Sequence, residues 1–316
     1  MKVIEVIKKR SYLTNVYGVA RSLLAIGTLS TLLFNSNTVL FYYGLENSLY
    51  IQCNSITSIS IFCILKENLI LAKVISIIIL SVVAVGILPR LTGILHWWIT
   101  YSVSVSCYII DGGDQIAAIL AFFLIPVTLV DSRWNHWQYD NSQNNYYSSV
   151  VAYFSTLMIK IQVAVIYFHA AIGKLYVDEW LNGTALYYWL YSQSFGAPDW
   201  IITIVSPLLR SPVFITFLTW FVLALELMLA VSIFYKNIKV KRALFYLGIL
   251  FHFSILIVHG LFSFFFSMAT ALIFLLIYPQ IKNPNELLKI NSYGTRCFNS
   301  IFRFFNLVSF SAQKNK

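Results

Sequence analysis

Along most of the chain, apolar residues run on without alternation, and polar residues collect in short breaks between the runs. A strand with one buried face would alternate with a period of two, and a soluble amphipathic helix would return to polar residues every turn. Uninterrupted apolar runs of about 20 residues match the length a helix needs to cross a bilayer. The pattern predicts helices at roughly 16–41, 68–88, 92–110, 115–130, 151–174, 212–235, 243–260 and 261–279. The expected fold class is all-α, a polytopic transmembrane helical bundle of about eight membrane helices. The bundle would occupy residues 15–280, with a basic N-terminal segment at 1–14 and a basic C-terminal tail at 281–316.

Composition points the same way. Of 316 residues, 59% are hydrophobic and 11% are charged, whereas a soluble domain is about a quarter charged. A net charge of +10 would suggest nucleic acid in a soluble protein. Here the cations gather at helix ends, in "KNIKVKR" (Lys236 to Arg242) and in the tail with Lys282, Lys289, Arg296, Arg303, Lys314 and Lys316. The positive-inside rule accounts for them, so lipid is the expected partner and nucleic acid is not. With the N-terminal "KKR" also inside, both termini are expected to be cytoplasmic. The "MKVIEVIKKR" start is like that of a signal peptide, but the run beyond it holds Arg21 and lacks a small-residue cleavage pattern. A retained first membrane helix is expected. In this topology residues 42–67, the turn at 111–114, the 175–211 segment and the turn at His259–Gly260 share the outer face. The 131–149 loop lies inside, with Arg133 its sole basic residue.

Among the four cysteines, Cys53, Cys63, Cys107 and Cys297, there is no C-x-x-C pair, so no metal site is expected. Cys53 and Cys63 share the first outer loop, where a disulfide and two separate thiols are both open readings.

Arg21, Lys73, Lys160, Glu226 and His252 fall within predicted spans, where each is costly unless it is paired or faces water. A carboxylate snorkels poorly, so Glu226 in "VLALELMLA" reads first as half of a structural ion pair with Arg21 or Lys160, which lie in the inner half of the membrane, and otherwise as a catalytic carboxylate. Lys73 is expected to snorkel. His252 is expected to hydrogen-bond across helices. His259 follows it by two turns on one face, which suggests a polar stripe descending from the outer mouth.

Lys174 closes an apolar run five residues after His169 and is followed by Asp178, Glu179, Trp180 and Gly183. It reads either as a snorkelling anchor or, in a desolvated pocket, as a base of lowered pKa. The Asp111, Gly112, Gly113, Asp114 turn reads either as a tight helix connection with solvated acids or as a site for a cation or proton. The functional version of these readings is one outward-facing polar pocket built from Lys174, His252, His259 and the Asp111–Asp114 turn, beside Trp180 and Gly183. No protease motif of the G-x-S-x-G or H-E-x-x-H type is present.

In their order, these segments resemble the HTTM domain, the membrane domain of vitamin K-dependent gamma-carboxylases and of many bacterial proteins. The resemblance rests on Arg21, "HWW" from His96, "DGGDQIAAILAFFLIP" (Asp111 to Pro126), "YFHAAIGKLYVDEWLNGTALYY" (Tyr167 to Tyr188), Glu226, "FH" at Phe251–His252, and "HGLFSFFFSM" (His259 to Met268). Within that family the chain is similar to the sporulation-delaying protein B (SdpB) subgroup. The resemblance implies a multi-pass protein of the bacterial cytoplasmic membrane that helps mature or produce a secreted antimicrobial peptide. Its implied partners are an SdpC-like toxin precursor and a small SdpA-like protein. In the carboxylases the lysine of the matching motif deprotonates a reduced quinone. The resemblance therefore implies Lys174 and His252 as catalytic candidates, joined by His259 on the shared helix face, and a membrane quinone as the candidate cofactor. The large lumenal domain that binds the carboxylases' substrate has no counterpart in the tail, so carboxylation itself is not expected. Three readings stand: a production factor for a secreted peptide, a quinone-dependent carboxylase-like enzyme, and a non-catalytic scaffold or immunity partner.

Overall fold

The computed structural model describes residues 12–43, 49–51, 53–108, 110–138, 146–193 and 195–279. The basic segments at 1–11 and 281–316, with Cys297, lie outside the described residues. Nine helices carry the architecture of the described residues: α1 Asn15–Phe34, α2 Leu69–Val85, α3 Pro89–Ser106, α4 Gly112–Val130, α5 Tyr146–Lys174, α6 Asp199–Leu209, α7 Pro212–Val231, α8 Ile238–His259 and α9 Phe262–Leu272. A wider π-type turn, Ile273–Ile277, continues α9. Shorter turns of helix fill the connections. The sole sheet among the described residues is a two-residue antiparallel ladder, Tyr42–Tyr43 against Leu49–Tyr50.

Local chemistry sets the helix ends. Side chains of Thr14, Asn68, Asp111, Ser211 and Asn237 accept backbone N–H groups in the first turns of α1, α2, α4, α7 and α8, which satisfies donors the helix itself cannot use. Gly260, at φ +70°, ends α8 in the left-handed conformation. Every predicted apolar run is helical, but only some are long and apolar enough to cross a membrane. Five qualify: Asn15–Phe34, Gly112–Val130, Tyr146–Lys174, Pro212–Phe234 and Ile238–His259. Leu69–Val85 and Phe262–Ile277 are apolar but shorter. In α3, Arg90, His96 and a series of serines and threonines dilute the apolar content. The first run ends at Phe34 rather than near residue 41, because Asn35 and Ser36 break it and a separate short turn, Asn37–Leu40, follows. The 175–211 segment, read from sequence as a connection, carries α6 and two shorter helices.

α1 is the most buried of the five long helices and packs on α2, α4 and α9. On one side lies an apolar cluster from α1, α4, α5, α7, α8 and α9, including Leu24, Leu120, Val163, Leu225 and Leu272. On the other, α1 packs with α2, α3 and the first long connection through Ala25, Leu32, Leu80, Val103 and Phe62. That connection lies along the second half of α3, where Ile61 N–H donates to Ser102 Oγ at 3.1 Å and Trp98 Nε1 donates to the Ile59 carbonyl at 2.7 Å. Within it, Cys53 and Cys63 are joined by a disulfide, and Cys107 is a buried free thiol.

The glycine pair opening α4 lets two helix ends meet backbone to backbone. A Cβ on Gly113 would lie 2.3 Å from both Cα and N of Phe264, at the start of α9, whereas one on Gly112 would meet nothing closer than the Phe264 ring at 3.7 Å. The backbone of α9 cannot yield as a flexible side chain would. Gly113→Ala is therefore expected to lower stability by about 1–3 kcal/mol, read as a drop in Tm in detergent, while Gly112→Ala leaves Tm close to wild type.

Candidate functional site

α5 ends on Lys174, and α7 brings Glu226 to it. The ammonium donates to Oε1 and Oε2 of Glu226 at 2.8 Å each and to the Ala170 carbonyl at 3.2 Å. These three acceptors match the three hydrogens of an ammonium group. The Trp180 ring lies 5.2 Å from Nζ, close enough for a cation–π contact. The pair is largely enclosed, with 22% of the Lys174 side chain and 8% of the Glu226 side chain exposed. This replaces the ion pair expected from Glu226 to Arg21 or Lys160. Lys160 sits about four turns earlier on α5, roughly 21 Å along the axis, out of reach of a carboxylate closed on Lys174. The Arg21 guanidinium reaches Thr92 Oγ1 at 2.6 Å and His136 Nδ1 at 3.2 Å.

Two turns before Lys174, on the same face of α5, Tyr167 Oη lies 2.9 Å from His252 Nε2 on α8. Both residues are buried, and His252 Nδ1 has no hydrogen-bond partner among the described residues. The cross-helix bond expected of His252 is thus made to Tyr167. His169, conspicuous in the sequence, is exposed on the far side of the helix. Trp180 and Gly183 belong to the connection that folds onto α7. Gly183 has φ +75°, and a Cβ there would come within 2.6 Å of Thr216. Trp180 packs with Val222 and Leu223.

The acidic turn forms a separate centre. Asp111 caps α4 and also accepts the Ser263 hydroxyl. Asp114, buried in the first turn of α4, accepts the Thr31 hydroxyl at 2.9 and 3.0 Å on its two oxygens. A cavity of about 570 Å³ opens onto this turn, lined by Thr31, Asp111 and Asp114 and by Phe34, Trp189, Phe195 and Phe262. His259 does not line it, but its Nδ1 bonds the Phe195 carbonyl and its ring faces Trp189 at 6.3 Å, so it holds one wall.

The expected single pocket is therefore two centres. Lys174, Glu226, Trp180, Tyr167 and His252 make one; Asp111, Asp114, Thr31 and Ser263 make the other. Phe264 stands between them, with its ring 5.4 Å from that of His252 and its other side against the Gly112–Gly113 turn. Chemically, the first centre fixes a positive charge beside a buried tyrosine–histidine pair, and the second presents carboxylates to a cavity.

Comparison with known proteins matches the HTTM domain across residues 51–277. The chain belongs to the HTTM family. It is 42% identical to sporulation-delaying protein SdpB of Bacillus subtilis (strain 168) over 273 residues, which is 85% of this chain and 83% of that protein. It is 35% identical to the uncharacterized protein YitO of the same organism over 269 residues, 84% of this chain and 86% of YitO. No solved structure matches it. Together with its long apolar helices, the HTTM domain makes this a membrane protein.

At the opposite end of this HTTM bundle lies a polar network that sequence reasoning missed. His136, fully buried between α1 and the end of α2, takes Arg21 Nη1–H at Nδ1, and its Nε2 faces Ser22 Oγ at 3.3 Å. Ser22 in turn donates to the Ala84 carbonyl at 2.6 Å. Beside it, Arg133 makes two bonds of 2.8 Å to the buried carboxylate of Asp131. The signal lies in "VDSRWNHW" (Val130 to Trp137), where an acid, an arginine and a histidine crowd a short break, although charge counting alone makes Arg133 no more than a loop cation. Tyr167 was also legible in principle, since it precedes Lys174 by two turns on one face.

Two predictions follow from these contacts. Burial, then the charges of Arg21 and Arg133, push His136 well below the ordinary histidine range, and its Nδ1 must stay unprotonated to accept from Arg21. The stabilisation is then complete above about pH 6.5 and falls as pH drops, because only the unfolded chain takes up the proton. Tm in detergent should decline between pH 7 and 5, and His136→Gln should flatten that decline. For the enclosed ion pair, Lys174→Met or Glu226→Leu alone should cost about 2–3 kcal/mol, less than a fully buried pair because Lys174 is partly exposed. The double variant Lys174→Met/Glu226→Leu should cost less than the sum, read from a cycle of melting curves.

Proposed function

We propose that this protein acts, as an SdpB-like component of the bacterial cytoplasmic membrane, in the production of a secreted antimicrobial peptide. The observation that carries this reading is the likeness to sporulation-delaying protein SdpB along 85% of the chain. The proposed topology has about eight crossings and both termini in the cytoplasm, with Leu69–Val85, Pro89–Ser106 and Phe262–Ile277 completing the five long ones. A peptide toxin precursor and a small SdpA-like protein are its proposed partners.

Within that reading, the geometry around Lys174 favours a non-catalytic part for the lysine. A base needs a free lone pair, whereas this ammonium has all three hydrogens engaged and a carboxylate closed on it. Nor does the cavity reach Lys174 or His252. The residues therefore do not fit the quinone that the carboxylase likeness implied, and no step through a quinone is assigned. Lys174 and Glu226 are best read as the clamp that holds α5 to α7, with Trp180 over it.

The test is peptide output from a producing strain. Deleting the gene should abolish secretion of active peptide, measured by mass spectrometry and growth inhibition; undiminished active peptide would refute the reading. A strain carrying Lys174→Met/Glu226→Leu, with membrane levels of the protein checked, should still secrete correctly processed peptide. Loss of one defined mass increment from the peptide, with the protein present, would restore a chemical role to the lysine.

A further inference from the structure

We infer that the cavity beside the acidic turn binds a protonated primary amine carried on an apolar segment, as presented by the amino terminus of a hydrophobic peptide. The assignment does not depend on the part proposed above in peptide production, since it rests on the chemistry of the cavity walls.

Two kinds of wall meet there. Asp111 and the buried Asp114 supply carboxylates, and among the described residues no lysine or arginine forms an ion pair with either. Lys73, at this end of the bundle, donates to the Asn35 carbonyl at 2.7 Å instead. The hydrogen bonds from Thr31 and Ser263 orient the two acidic groups and bring no positive charge to them. A protonated amine can donate to both acidic groups at once, whereas an anionic guest would be repelled and an apolar one would leave their oxygens unmatched beside an apolar space. Trp189, Phe34, Phe195 and Phe262 form the other wall. Aromatic faces attract an ammonium through their quadrupole and also cover the alkyl chain behind it. This independent feature points to the same guest as the carboxylates do. At about 570 Å³ the cavity has the size of an ordinary ligand pocket, enough for a terminal residue and part of its neighbour. The rim rings are partly exposed, Trp189 at 47% and Phe195 at 55%, so the apolar segment has a surface to leave along.

The test uses the full chain in phosphatidylcholine nanodiscs and isothermal titration with the tripeptide amide Leu-Leu-Phe-NH2, with its amino terminus either free or acetylated. The free peptide should bind at least tenfold more tightly than the acetylated one. Asp114→Asn, which keeps the size of the side chain, should erase that difference by weakening the free peptide alone. Trp189→Ala, on the exposed rim, should weaken both peptides severalfold and serves as the arbiter should Asp114→Asn fail to assemble. Equal affinity for the two peptides, an Asp114→Asn protein that still prefers the free amine, or a Trp189→Ala protein of unchanged affinity would each overturn the assignment. Repeating the titration in phosphatidylethanolamine nanodiscs separates the sources of the amine. Unchanged peptide binding supports the peptide assignment, and abolition of binding would make the lipid headgroup the occupant instead.

Discussion

α1 carries Arg21, Ser22 and Thr31 on a helix that is packed by other helices on nearly all sides, and a polar group in that position has neither water nor headgroup to turn to. Each must therefore find its partner in another element. Arg21 takes a threonine from α3 and a histidine from the connection after α4; Ser22 takes a carbonyl at the end of α2; Thr31 takes the carboxylate of Asp114 on α4. In lipid, apolar surface alone discriminates poorly between helix neighbours, because the tails are as apolar as leucine. These polar contacts give α1 both its neighbours and its register, one set at each end.

The same requirement accounts for the division of the candidate site. α4 approaches α9 at Gly113 closely enough to meet the Phe264 backbone, and the Phe264 ring lies between Gly112 and His252. The phenyl ring keeps the acidic turn apart from the tyrosine–histidine pair of α5 and α8. The two centres are consequently different in kind. Around Lys174 every hydrogen of the charged group is spent within the fold, which is what a clamp between two helices requires. At the acidic turn the carboxyl groups are oriented by hydroxyls, face a cavity, and pair with no lysine or arginine among the described residues.

Family membership and this geometry bear on different questions. Likeness to SdpB over most of the chain, with the HTTM match, shows the family to which the protein belongs. It does not decide what any one residue does, because a fold hosts chemistry only where the local groups are free to perform it. The likeness read from the sequence implies a base at Lys174, whereas its two bonds to Glu226 are those of a structural cation.

The apolar runs by themselves determined that the chain is a helical membrane protein and roughly where its helices lie, since burying a backbone in hydrocarbon leaves it no other way to satisfy its own hydrogen bonds. The motif order likewise marked out Lys174, Glu226, His252 and the Asp111–Asp114 turn as exceptional residues. Which of them meet was not legible. Glu226 was matched to Arg21 or Lys160 on estimated depth alone, whereas the pair it forms depends on how far α7 slides along α5. His136 and Asp131 passed as loop residues because nothing local distinguishes a polar connection in water from one folded back beneath a buried arginine. Helix formation is a matter of contacts a few residues apart and is written along the chain. The pairing of charges across helices depends on tilt, register and the close approach allowed at Gly113, and only the packed bundle decides those.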